Sequence, residues 1–192
     1  MKIFLLIFFL LFSSYSVAGM DKASAAYGNG DYKTAFRETI VPAEQGLAVA
    51  QFNLGVMYEK GQGTLQDDEK AIFWYTKSAD QANANAQFNL GNMYYEGLGV
   101  PQDYKAAIHW YRKSAEQGLA VAQNLLGGMY VYGQGVSQDY VRAYMWLNIA
   151  ASNESATAEG NKDMLKGMMT PSQIEAALEL TRECLAKEYK NC

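Results

Sequence analysis

One phrase is written three times, and each writing starts 36 residues after the last. "AQFNLGVMYEKGQGTLQDDEKAIFWYTKSADQA" begins at Ala50, "AQFNLGNMYYEGLGVPQDYKAAIHWYRKSAEQG" at Ala86, and "AQNLLGGMYVYGQGVSQDYVRAYMWLNIAASNE" at Ala122. Self-similarity at a fixed period of 20–50 residues is the signature of a stacked array rather than a single globular core. Comparing the copies needs no other protein. Identical in all three are Gly55/Gly91/Gly127, Met57/Met93/Met129, Tyr58/Tyr94/Tyr130, Asp67/Asp103/Asp139, Ala71/Ala107/Ala143 and Trp74/Trp110/Trp146, together with two glycines of a short turn. A partial copy precedes them, with Asp31 and Ala35 in the register of Asp67 and Ala71.

The physics of one copy is legible. Leu54, Met57 and Tyr58 recur at helical spacing and predict a first amphipathic helix, A, with the Met and Tyr positions in the core. Small Ala50 and Gly55 allow a neighbour to approach closely. Gly61 and Gly63 end the helix, because glycine tolerates the left-handed conformation of a C-terminal cap. Asp67 then opens a second helix, B, as an N-cap. Its inward face is Ala71, Tyr75 and Ser78, with Trp74 beside them. No helix pair can bury such a face alone, so the pairs must stack. Pro42 falls inside the first B helix, where a kink is expected.

The two ends read differently. Lys2, an unbroken apolar run from Ile3 to Phe12, and Ser16-Val17-Ala18 form the n-, h- and c-regions of a signal peptide. The run is half the ~20 residues that a membrane span requires. An exported protein without stable membrane insertion after cleavage is expected. At the other end, Thr170-Pro171-Ser172-Gln173 is a capping-box pattern opening a helix with an apolar stripe of Ile174, Leu178, Thr181 and Leu185. Residues 155–168 and 171–187 are expected to be two capping helices. Cys184 and Cys192 are the only cysteines, and in an oxidising compartment they are expected to pair. Eight residues of helix rise about 12 Å, too far for a bridge, so the helix must break near Tyr189-Lys190-Asn191.

Little in the chain suggests chemistry. The glycine turns follow a helix and lack the third glycine or the Gly-Lys-Ser/Thr of a phosphate loop. His109, the sole imidazole, matches Phe73 and Met145 in the other copies and has no partner nucleophile or acid in sight. Too few soft ligands exist for zinc. The formal charge of −4 is spread without a basic stripe, which argues against nucleic acid. The expectation is therefore no catalytic residue, no metal and no cofactor.

The phrases "LGxMY", "GxGVxQDY" and "AxxWYxKSAEQG" resemble the Sel-one-like repeat family, a branch of the tetratricopeptide-type helical solenoids. The resemblance covers residues 20–157. It implies an all-α, right-handed solenoid of stacked antiparallel helix pairs. The organisation expected is a signal peptide at 1–18, a partial repeat at 19–49, repeats at 50–85, 86–121 and 122–157, and C-terminal capping helices with the cysteine pair at 158–192. In such arrays helix A lines the concave groove, so residues there that change between copies become the partner-binding candidates. These are Phe52, Val56, Glu59 and Lys60 in the first copy, Phe88, Asn92, Tyr95 and Glu96 in the second, and Asn124, Val131 and Tyr132 in the third. The function implied is a monomeric, non-catalytic protein-interaction scaffold of the bacterial envelope, binding a protein or peptide as a regulator, assembly adaptor or toxin-immunity protein. The alternative is a secreted hydrolase like the cysteine-rich relatives linked to β-lactams. Their cysteine pair in every repeat is missing here.

Overall fold

A computed structural model describes residues 19–192; the expected signal peptide, residues 1–18, lies outside the described residues. The described residues form ten helices and no strand, an all-α solenoid. After α1, within residues 19–28, come α2 (Tyr32–Glu44), α3 (Ala48–Lys60), α4 (Asp68–Ala79), α5 (Ala84–Glu96), α6 (Tyr104–Ala115), α7 (Ala120–Tyr132), α8 (Tyr140–Ser152), α9 (Ala156–Lys166) and α10 (Pro171–Ala186). Helices α3, α5 and α7 are the A helices of the three copies, and α4, α6 and α8 their B partners. Two compact units divide the chain at Ala86 and Gln87.

Local chemistry sets the helix ends. Asp31, Asp67, Asp103 and Asp139 are all N-caps, and their carboxylates accept backbone N–H groups at 2.9–3.1 Å. Gly61, Gly97 and Gly133 close the A helices with φ of 64°, 76° and 67°. The turn then folds back so that the amides of Asp67, Asp103 and Asp139 donate to the carbonyls of Tyr58, Tyr94 and Tyr130 at 2.9–3.0 Å. One orphan carbonyl of every A helix is satisfied this way. Helix α2 continues through Pro42 to Glu44, and Pro42 is buried.

In two of the turns the second glycine serves a different end. A Cβ on Gly63 would stand 2.1 Å from the Tyr32 carbonyl oxygen, and one on Gly135 would stand 2.4 Å from that of Tyr104. These two turns thus pack against the first residue of the preceding B helix, an approach only glycine allows.

In the first unit α3 packs on α2 and α4. Tyr75 lies fully buried on Gly55, where a Cβ would come within 2.6 Å of its ring. In the second unit α7 packs on α6 and α8, and α9 and α10 both cover α8. Tyr111 lies on Gly91 in the same manner, and Leu147 on Gly127. Met57, Met93 and Met129 are core. Their neighbours are not equivalent: Tyr130 is buried, but Tyr58 and Tyr94 are only half-buried, so the repeated tyrosine is not a core position in every copy. Tyr58 instead sits edge-on to Phe36 and beneath the Lys70 ammonium. Trp146 is completely buried because α9 and α10 cover its helix, whereas Trp74 and Trp110 are half-buried.

Helix α10 has the expected capping box at Thr170 and Gln173; of its expected stripe, Ile174 and Thr181 face the core but Leu178 and Leu185 do not. Ala177, Thr181 and Cys184 are buried, while Leu178 and Leu185 are about 40% exposed. Ile174 and Leu180 pack against the same core from the side, and only Leu178 and Leu185 are left outside. Cys184 and Cys192 are bridged, with Cα atoms 5.5 Å apart. The helix ends at Ala186, upstream of the expected break, and Glu188, Tyr189 and Asn191 take positive φ to turn the chain back.

Candidate functional site

The helix-A residues that differ between copies do not form one class. Phe52 and Phe88 are half-buried and lie against Tyr75 and Tyr111, with ring centroids 5.9 and 6.0 Å apart. They pack on the B-helix tyrosine of their own copy. Val56 is half-buried as well. The Glu59 carboxylate accepts the Tyr75 hydroxyl, and Asn92 Oδ1 accepts the Tyr111 hydroxyl at 2.7 Å. Burial above all, with Tyr95 and Glu96 nearby, pushes the Tyr111 phenol well above its ordinary value. It is a permanent donor at any physiological pH. Tyr95 is half-buried between Tyr104 and Tyr111, and its hydroxyl meets the Gln134 side chain at 3.3–3.4 Å. Asn124 Oδ1 accepts from Asn161 Nδ2 at 2.9 Å.

Three of the candidates stand clear of such ties. Lys60, Glu96 and Tyr132 occupy one register position, the last residue of each A helix, and all three are exposed. Tyr132 is 75% exposed, an unusual setting for an aromatic ring. Beside it in the second unit lies a mostly apolar pocket of about 210 Å³. Gly128, Val131 and Tyr132 of α7, Leu147 of α8, and Asn161, Met164, Leu165 and Met168 in and after α9 line it.

Sequence reasoning overlooked a second set of fixed residues. Gln51, Gln87 and Gln123 are identical in every copy and buried. Gln51 Nε2 donates to the Ala43 carbonyl at 3.1 Å and Gln123 Nε2 to that of Ala115 at 3.0 Å, each tying helix A to the end of the preceding B helix. Their amide oxygens accept from Gln81 and Asn153 at 2.7 and 2.9 Å, and Gln87 accepts from Gln117 at 2.7 Å. A polar residue invariant within an apolar face was the available signal. Gln102 and Gln138, also at a repeated position, cap the Tyr95 and Val131 carbonyls at 2.8 and 2.7 Å.

His109 is exposed and edge-on to Trp110. Partial burial first, then the Lys113 and Arg112 cations, hold its imidazole below the ordinary value. Among the described residues no group of three or more His, Cys, Asp or Glu side chains could hold a metal ion, and no helix is long and apolar enough to cross a membrane.

The model of the Sel1 repeat family matches residues 48–83, 84–119 and 120–155, more than half of the chain. A Sel1 repeat protein from Oxalobacter formigenes is similar in structure, with a TM-score of 0.71 and 34% identity over 78% of this chain and 60% of that one. So is c5321, a protective antigen of uropathogenic Escherichia coli strains displaying an SLR fold, with a TM-score of 0.53 and 32% identity over 81% of this chain and 42% of that one. The chain therefore spans about three fifths and two fifths of the length of these two. Cysteine-rich protein B of Helicobacter pylori, at 21% identity, TM-score 0.55, and coverage of 68% of this chain and 93% of that one, shares the fold. No curated protein matches the chain.

Proposed function

Since the chain belongs to the Sel1 repeat family, whose repeats commonly serve as protein-interaction scaffolds, we propose that it is an exported, non-catalytic binding protein of the bacterial envelope that holds a protein or peptide partner on its helix-A face. The observation that carries this reading is the register position of Lys60, Glu96 and Tyr132. The position is exposed each time and filled by a cation, an anion and an aromatic ring in turn. A position under structural demand alone repeats, as Met57, Met93 and Met129 do. One that is solvated in every copy yet chemically different in each is suited to side-chain recognition. Export rests on the residue pattern of the first 18 residues and agrees with the Cys184–Cys192 bridge.

Site-specific photo-crosslinking in the source cells tests the reading. A photoreactive residue at position 132 or 96 should capture the same protein, whereas one at position 109 on α6 should not. Glu96→Lys with Tyr132→Ala should weaken capture by about tenfold or more, the loss expected when a hot spot of at least 1–2 kcal/mol is removed. Its thermal midpoint should hardly move. Capture from position 109 alone would reject the helix-A face. Mass spectrometry of the purified protein should find an N-terminus at Gly19 or Met20; an intact Met1 would reject export.

A further inference from the structure

The pocket beside Tyr132 exists because the third copy lacks two groups that the second possesses. In the second copy the Tyr111 ring runs from Gly91 outward, and its hydroxyl ends on Asn92 Oδ1. Thirty-six residues on, Leu147 replaces that tyrosine and Gly128 replaces Asn92. Leu147 still packs on Gly127, but it is shorter, and Gly128 has no side chain; both now line the pocket. A Cβ built on Gly128 would meet nothing within 4 Å. Where the second copy carries a phenol ring and a carboxamide, the third has a leucine and a glycine beside open space.

We propose that this pocket is a binding site for one aromatic side chain, a tyrosine or phenylalanine, presented by a peptide segment of the partner. The size is that of a single side chain, at about 210 Å³. No charged residue lines it, so a charged group would lose its hydration without compensation. Its polar residues are Asn161 and Tyr132. Asn161 brings a carboxamide, the same group that receives the Tyr111 hydroxyl one repeat earlier. Met164 and Met168 form the outer wall and are 70% and 57% exposed. Methionine is flexible and makes favourable sulfur contacts with aromatic rings, so the wall can close over an incoming ring. This site gives the helix-A reading a definite anchor and rests on it for its biological meaning.

The probe is p-cresol, the side chain of tyrosine, titrated into the full-length mature protein with methyl-labelled methionine and leucine. The methyl resonances of Met164, Met168, Leu147 and Leu165 should shift saturably, with a Kd on the order of millimolar for so small a ligand. 1-Hexanol should bind at least about threefold more weakly. Gly128→Asn with Leu147→Tyr rebuilds the second-copy arrangement and should weaken p-cresol binding by about tenfold or more. Gly128→Leu fills the pocket from α7 alone, where space is open, and should do the same. Shifts that do not saturate, that spread over core methyls such as Met93, or that survive both filled variants would overturn the site. Tighter binding of hexanol would overturn its aromatic character. The titration needs no partner, so its failure leaves the crosslinking result standing, and an empty crosslink leaves the titration standing.

Discussion

The Tyr111 hydroxyl donates to Asn92 Oδ1 at 2.7 Å, joining the B and A helices of the second repeat at a point where the ring itself is only 1% exposed. The bond and the ring do separable work. Removing the hydroxyl in Tyr111→Phe should cost about 1 kcal/mol, the net worth of one hydrogen bond between partly solvated neutral groups. Tyr111→Ala should cost about 3–5 kcal/mol, because the ring leaves a cavity against Gly91. Urea unfolding of the two variants measures both, and equal losses would refute the division.

Two glycines seven residues apart should respond in opposite ways. Gly135 has φ 73° and a Cβ there would meet the Tyr104 carbonyl oxygen at 2.4 Å. Gly135→Ala should therefore destabilise by about 2–4 kcal/mol through strain and a forced shift of the turn. Gly128 lies inside α7 with open space around it. Gly128→Ala should stabilise by about 0.5–1 kcal/mol from helix propensity alone. Thermal unfolding of each single variant provides the comparison.

Ala82 carries a φ of 60° at the turn where Gly46 and Gly118 have 93° and 86°. A left-handed conformation costs an alanine roughly 1–2 kcal/mol, part of which glycine returns through its freer unfolded chain. Ala82→Gly should raise stability by a net ~0.5–1 kcal/mol. An unchanged or lowered midpoint in chemical denaturation would show that the turn relaxes in solution.

The Cys184–Cys192 bridge closes a short loop whose Tyr189 packs on the Gly118 turn and reaches Asn153 Oδ1 at 3.4 Å. Cys184→Ser with Cys192→Ser should free this segment at a cost of about 2.5 kcal/mol, the chain-entropy value for a loop of this length. Hydrogen exchange should accelerate after residue 186 and remain slow in α7 and α8. Exchange rising throughout the array would assign the bridge a global role.

The helix periods, the aspartate N-caps and the left-handed first glycine of each turn were legible in the sequence. Each depends on residues within a few positions of one another, and the 36-residue period wrote them three times over. The family and the stacked architecture followed for the same reason. Other features were decided only in three dimensions. The second glycine answers to a carbonyl about 30 residues earlier in the chain, and the buried glutamines join helices that only stacking brings together. On α10 the expected Ile174 and Thr181 do face the core, but Ala177 and Cys184 are buried there in place of Leu178 and Leu185, a rotation set by how the helix lies on α8. Tyr95, a partner-facing candidate by family resemblance and its change between copies, is half-buried between two tyrosine rings. The pocket arises from Gly128 and Leu147, nineteen residues apart, and becomes a cavity only once α9 stands across from them. Local signals fix what a segment becomes, whereas which of its atoms are covered depends on neighbours that no short window contains.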